Sequence, residues 1–151
     1  DQICRSIVDH DPMPVTLPDL DAAARVYETL LCDRLGRPPR LDVVLLGLGS
    51  DAHTASLFPG RAALADASRL VVAAPPPGIP PRLTLTLPAF VAARTLFVAA
   101  HGADKASALR RTLFAPHDPT RVPLHALRAH DVTFIVDRSA AAGLGASASA
   151  P

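Results

Sequence analysis

The sequence predicts an α/β layered domain built on a mostly parallel sheet, and three observations predict it. Apolar runs of strand length recur at Val43–Leu46, Leu70–Ala74, Leu83–Leu87, Thr95–Ala100 and Val132–Val136. Segments with helical spacing of apolar residues lie between several of them. The first of these strands ends in a glycine-rich polar run, and open α/β sheets place their sites just beyond strand carboxyl ends. The 151 residues are enough for one domain with a real core and too few for two ordinary ones.

Residues 1–18 carry little pattern, with Met13–Leu17 reading as a short strand between two prolines. Leu20, Ala23, Ala24, Tyr27, Leu30, Leu31 and Leu35 then recur at helical spacing, with Asp19 placed to cap the start and Gly36 to end it. After Arg37-Pro-Pro-Arg40, the continuous run Val43–Leu46 reads as a strand covered on both faces. A brief helix is expected at Thr54–Phe58, stopped by Pro59-Gly60. Leu70–Ala74 leads into a proline-rich turn over 75–81. Leu83, Leu85 and Leu87 alternate with Thr84 and Thr86, giving a strand that Pro88 ends. Thr95–Ala100 turns at His101-Gly102 into a helix over Asp104–Phe114. Val132–Val136 is the last strand and Ser139–Leu144 the last short helix, with 145–151 expected as a disordered tail.

Composition narrows the class. Hydrophobic residues make up 49% and charged residues 19%, which is globular usage with an apolar bias. A net charge of +1 recommends neither a nucleic-acid nor a membrane-surface partner. Cys4 and Cys32 stand at no metal-like spacing, which suggests a reducing compartment. With no signal-like start and no apolar run near the ~20 residues of a bilayer span, a soluble cytoplasmic protein is expected.

The chemistry concentrates in Leu41-Asp-Val-Val-Leu-Leu-Gly-Leu-Gly-Ser-Asp-Ala-His-Thr-Ala-Ser-Leu-Phe-Pro-Gly60. That order sets His53 at the mouth of a strand, beside Asp51 and the backbone freed by Gly47 and Gly49. Three rival readings are weaker. Gly47-Leu-Gly-Ser-Asp-Ala52 formally fits a dinucleotide fingerprint, but Pro59-Gly60 cuts short the helix that should hold the pyrophosphate. Asp66 also precedes the next strand, where a ribose-binding acid should end it. Asp51 and His53 alone fall short of the three or four ligands of a metal site. Ser50 lacks a nucleophile elbow. A histidine able to take a proton from water and return one to a leaving oxygen remains the best account.

The segment resembles, almost residue for residue, the Gly-x-Gly-x-Asp-Gly-His-Thr-Ala-Ser-Leu-Phe-Pro-Gly signature of 6-phosphogluconolactonases. One position departs: Ala52 stands where the family has glycine. Arg82-Leu-Thr-Leu-Thr-Leu-Pro88, Gly102-Ala-Asp-Lys105 and Val132-Thr-Phe-Ile-Val-Asp137 through Ala142 also resemble the family in order and spacing. The resemblance runs from about Leu20 to Leu144 and covers only the C-terminal part of the family. Nothing in residues 1–40 resembles the family's Ser-Gly-Gly-Ser-type phosphate loop. It implies that residues 1–144 are the C-terminal part of one Rossmann-like domain whose N-terminal strands are missing.

The activity implied is hydrolysis of 6-phospho-D-glucono-1,5-lactone to 6-phosphogluconate, in the pentose phosphate pathway, with no cofactor and no metal. His53 is implied as acid and base with Asp51 assisting. Gly47 and Gly49 are implied to let backbone approach the substrate, and Arg82 and Lys105 to bind the phosphate. His101 ends a strand on the site's side, but the resemblance marks no histidine there, and it stays outside the expected catalytic set. Glucosamine-6-phosphate deaminases follow their Asp-Gly-His with Ile-Ala-Phe-Asn-Glu-Pro. This chain has Thr54-Ala-Ser-Leu-Phe-Pro59, without that glutamate. A catalytically silent sugar-phosphate-binding domain is the alternative from another class.

Overall fold

The computed structural model describes residues 10–74, 80 and 82–145. Helix α1 spans Leu20–Leu35 and begins where expected, because the Asp19 carboxylate accepts the N–H groups of Asp21 and Ala22. Gly36, at φ +89°, ends it. Strand β1 (Val43–Gly47) comes next, then the short helix α2 (Ala62–Ala65), β2 (Val71–Ala73), β3 (Leu83–Leu85) and α3 (Leu87–Val91). Strand β4 is Thr95–Ala100, α4 is Ala106–Phe114 and β5 is Val132–Val136. Single 3₁₀ turns cover Ala103–Lys105, Pro123–Leu127 and Ala140–Gly143.

Two sheets form. β1, β4 and β5 pair in that order, all parallel, while β2 and β3 make a separate antiparallel pair. The main core lies on one face of the parallel sheet, where Val44, Leu46, Leu96, Val98 and Ala100 meet Phe90, Leu109, Leu124 and Leu127. A second, smaller core sets α1 on the β2–β3 pair through Ala23, Ala24, Val71 and Leu83. Glu28 ties the two together, accepting from Arg69 Nε at 2.9 Å and from the Val71 N–H at 3.3 Å.

Four departures from the sequence expectations stand out, besides the unexpected short helix α2 and the later start of α4. β1 is covered on one face only: Val43 is 60% and Leu45 68% exposed. Met13–Leu17 is a turn, closed by Val15 N–H to Met13 O at 2.8 Å. Thr54–Phe58 forms no helix. The Thr54 hydroxyl instead donates back to Gly47 O at 2.8 Å, and Thr54 bridges Leu57 in a tight turn with Ala55 at φ +50°. The strand from Leu83 stops at Leu85, and α3 begins at Leu87 with Pro88 in its first turn, where a missing N–H costs nothing. Cys4, most of the proline-rich turn and all of the expected tail but Gly145 lie outside the described residues.

Candidate active site

The site is built on the loop after β1. Beyond Gly47 the chain runs through Leu48, buried in the main core, to Gly49, and then folds back on itself. Gly49 N–H donates to His53 O at 2.8 Å, and Ala52 N–H to Gly49 O at 2.9 Å. The closure holds Ala52 at φ +80°, a region that L residues avoid, with its methyl fully buried. The loop is anchored on both flanks. Thr54 holds it to β1, and Ser56 N–H donates to Thr84 Oγ1 on β3 at 3.2 Å.

Within this loop the Asp51 carboxylate receives two bonds on one oxygen. The His53 N–H lies 3.0 Å from Oδ1 and the His53 Nδ1 2.6 Å from it. Partial burial pushes the Asp51 pKa up, but the bonds from the His53 backbone and ring outweigh it and hold the carboxyl below its ordinary range. Asp51 is therefore an ionised acceptor at neutral pH, which makes Nδ1 the donor, so that in the neutral ring the lone pair lies on Nε2. That is the tautomer a general base needs.

Packing fixes the ring. The Phe58 ring centroid lies 4.4 Å from that of His53, tilted by 32°. Gly49 also lies against the His53 ring, where a Cβ would come within 2.2 Å of His53 Nδ1 and 2.7 Å of Asp51 Oδ1. Gly49 is thus the clearance that lets the imidazole lie over the backbone. Gly47 has nothing within 4 Å of the equivalent position, so the space above it is open. Phe58 stands inside the signature segment, and its contact with His53 adds to the site a residue that the expected set lacks.

The two cations sit on different elements. Lys105 closes the 3₁₀ turn after β4, so it stands at the same carboxyl edge of the sheet as the β1 loop. Its Nζ is 3.0 Å from Asp104 Oδ2 and its side chain is half-buried. Arg82 is exposed, one residue before β3, and its carbonyl accepts from Ala74 N–H at 2.8 Å. Its strand meets the segment after the β1 loop through Thr84, two residues on, whose hydroxyl accepts Ser56 N–H. The structure thus gathers Gly47, Gly49, Asp51 and His53 into one loop, with Lys105 on the neighbouring strand end and Arg82 on the second sheet.

A second histidine is structural. His125 is fully buried; its Nδ1 accepts from Asp118 N–H at 2.9 Å, while Nε2 lies 3.0 Å from Arg111 O and 2.7 Å from the Arg128 guanidinium. Burial, with Arg128 nearby, pushes its pKa down and keeps it neutral. Among the described residues, no three His, Cys, Asp or Glu side chains converge as a metal site would need, and no helix is long and apolar enough to cross a membrane.

Residues 5–136 match the family of glucosamine-6-phosphate isomerases and 6-phosphogluconolactonase. A 6-phosphogluconolactonase of Synechocystis is 37% identical over 139 residues, 88% of this chain and 57% of the relative. The human 6-phosphogluconolactonase is 37% identical over 103 residues, 67% of this chain and 39% of the relative. Among solved structures, 6-phosphogluconolactonase from Trypanosoma cruzi superposes with a TM-score of 0.72 at 34% identity, over 96% of this chain and 58% of that one. A monomeric glucosamine-6-phosphate deaminase superposes with a TM-score of 0.66 at 30% identity, over 84% of this chain and 56% of that one. The chain spans about half the length of the Synechocystis and Trypanosoma relatives. On match and fold together, the chain belongs to the glucosamine-6-phosphate isomerase/6-phosphogluconolactonase family.

Proposed function

We propose that this chain carries the acid–base centre of a 6-phosphogluconolactonase, acting on 6-phospho-D-glucono-1,5-lactone. The observation that carries the reading is the 2.6 Å bond from His53 Nδ1 to Asp51, which places the lone pair of the neutral ring on Nε2 at the carboxyl end of β1. Water attacks the lactone carbonyl carbon while Nε2 takes its proton. The tetrahedral intermediate then collapses with cleavage of the bond from that carbon to the ring oxygen. The imidazolium returns the proton to the departing oxygen, which becomes a hydroxyl. Asp51 holds the tautomer and stabilises the charged ring during the step. Arg82 and Lys105 hold the phosphate, as a guanidinium fork and a compact ammonium do. The deaminase neighbour favours a second reading, but Thr54-Ala-Ser-Leu-Phe-Pro59 offers no glutamate for it.

The test is turnover of the phosphorylated lactone, corrected for spontaneous hydrolysis, together with binding of 6-phosphogluconate. His53→Ala is expected to lower kcat by roughly 10²–10⁴-fold, the usual share of acid–base catalysis. Neutralising Arg82 or Lys105 is expected to raise KM for the phosphorylated lactone far more than for the unphosphorylated one. Binding with no turnover by the native chain would support the silent-domain alternative. Turnover by His53→Ala at the native rate would remove His53 from the mechanism.

A further inference from the structure

We propose that His101, oriented by Asp137, is an additional ligand-binding residue, donating a hydrogen bond to an anionic oxygen of the sugar phosphate. The proposal rests on the reading of the His53 loop as a sugar-phosphate site. Register is its first support. Gly47 of β1 is opposite Ala99 of β4, and Ala100 is opposite Val136 of β5. Carried just past the strand ends, the same pairing sets Gly49, with the His53 ring above it, beside His101, and His101 beside Asp137. Adjacent strands lie about 4.8 Å apart, so the two imidazole-bearing positions are neighbours on one edge. Ala100 is buried in the core, and His101, next in the chain, points away from it with a side chain 92% exposed.

Asp137 fixes this position from three sides. Its N–H donates to Ala100 O at 3.4 Å, and its Oδ1 accepts Gly102 N–H at 3.1 Å, so the residues before and after His101 are both held by it. Oδ1 also accepts Ala140 N–H at 2.9 Å, and Oδ2 accepts the Ser139 hydroxyl. The carboxylate cannot swing away, and Oδ2 lies 3.7 Å from His101 Nε2. At that separation the carboxylate faces the exposed imidazole without a direct hydrogen bond, and among the described residues the His101 ring makes no side-chain hydrogen bond, so its donors are open to a ligand. The Gly102 turn, at φ +99°, then carries the chain to Lys105 three residues on. An oxyanion over this edge would meet His101 and Lys105 together.

Imidazole NMR of the chain tests this. Six histidines give a small set of signals, and His53→Ala and His101→Gln assign two of them by loss. The ligands are 6-phosphogluconate, gluconate and inorganic phosphate, so that a response to gluconate marks a carboxylate contact and a response to phosphate a phosphate contact. The expected result is that 6-phosphogluconate moves the His101 and His53 signals together. His101→Gln should weaken its binding roughly 10-fold while the His53 signal still moves. Asp137→Asn should weaken binding similarly and shrink the His101 response, with the buried His125 signal unchanged as proof that the fold is intact. If His53 responds and His101 does not, or His101→Gln binds as tightly as the native chain, the proposal falls and the site reading stands. If neither signal moves, the site reading falls and takes this proposal with it.

Discussion

At the scale of single residues the site turns on two positions of the β1 loop. The family pattern has glycine where this chain has Ala52, and a glycine there serves either a left-handed backbone or close approach of the substrate. Ala52 sits at φ +80° with its methyl turned into the core, which selects the first. The left-handed conformation costs an L residue about 1–2 kcal/mol, and burying one methyl returns about 0.8 kcal/mol. Ala52→Gly should therefore raise stability by up to about 1 kcal/mol, or about 2–4 °C in Tm for a chain of this size. A calorimetric scan showing a lower Tm would mean that the buried methyl outweighs the strain. Gly49 is the opposite case, since an added Cβ would lie 2.2 Å from His53 Nδ1. Gly49→Ala should displace the ring and break the bond to Asp51, lowering kcat nearly as far as His53→Ala does. Retention of full turnover together with a hydrogen-bonded Nδ1 proton signal would show that the ring accommodates the methyl.

At the scale of elements the strand ends decide what the fold can do, and Asp137 shows how one residue secures such an end. The Ser139 hydroxyl, with the N–H groups of Ala140 and Gly102, holds its carboxyl at a pKa of about 2, well below the ordinary ~3.9. Because the folded value is the lower one, the unfolded chain takes up the proton first as pH falls. The stabilisation is complete above about pH 4 and is lost between there and about pH 2. Asp137→Asn should lower the urea midpoint at pH 7, and its difference from the native chain should close across that acid window. A difference that stays constant from pH 7 to pH 2 would assign the effect to something other than the carboxylate.

Such a cap is only half legible in a sequence. The bonds to Ser139 and Ala140 are local, but Gly102 lies 35 residues away. β4 and β5 are readable to the residue, because Thr95–Ala100 and Val132–Val136 each hold four or five apolar residues with a single threonine between polar flanks. α3 is not, since Leu83-Thr-Leu-Thr-Leu87 alternates like a strand and Pro88 fits the first turn of a helix as well as the end of a strand. The same divide runs through the site. Asp51 and His53 stand two apart and bond directly, whereas the role of Gly49 appears only when the chain folds back over it.

At the scale of the whole molecule the asymmetry of the parallel sheet is the dominant fact. One face carries the main core, while Val43, Leu45 and Ile135 on the other are each more than half exposed. A continuous apolar strand implies burial on both faces, and this fold supplies it on one. Among the described residues, β1 is also an edge, pairing only with β4. An open apolar face beside an unpaired edge attracts other chains, and soluble monomers rarely leave such patches large. The chain should therefore self-associate as concentration rises and bind a hydrophobic dye. Leu45→Thr with Ile135→Thr should reduce both, since threonine has the β-branched shape that a strand favours and removes apolar surface. The cost in Tm should be small because neither side chain is in the core. Sedimentation of the native chain as a monomer at all concentrations, with no dye bound, would show that the exposed face is not sticky enough to matter. A double variant that associates as strongly as the native chain would place the attraction elsewhere, with the β1 edge as the next surface to alter.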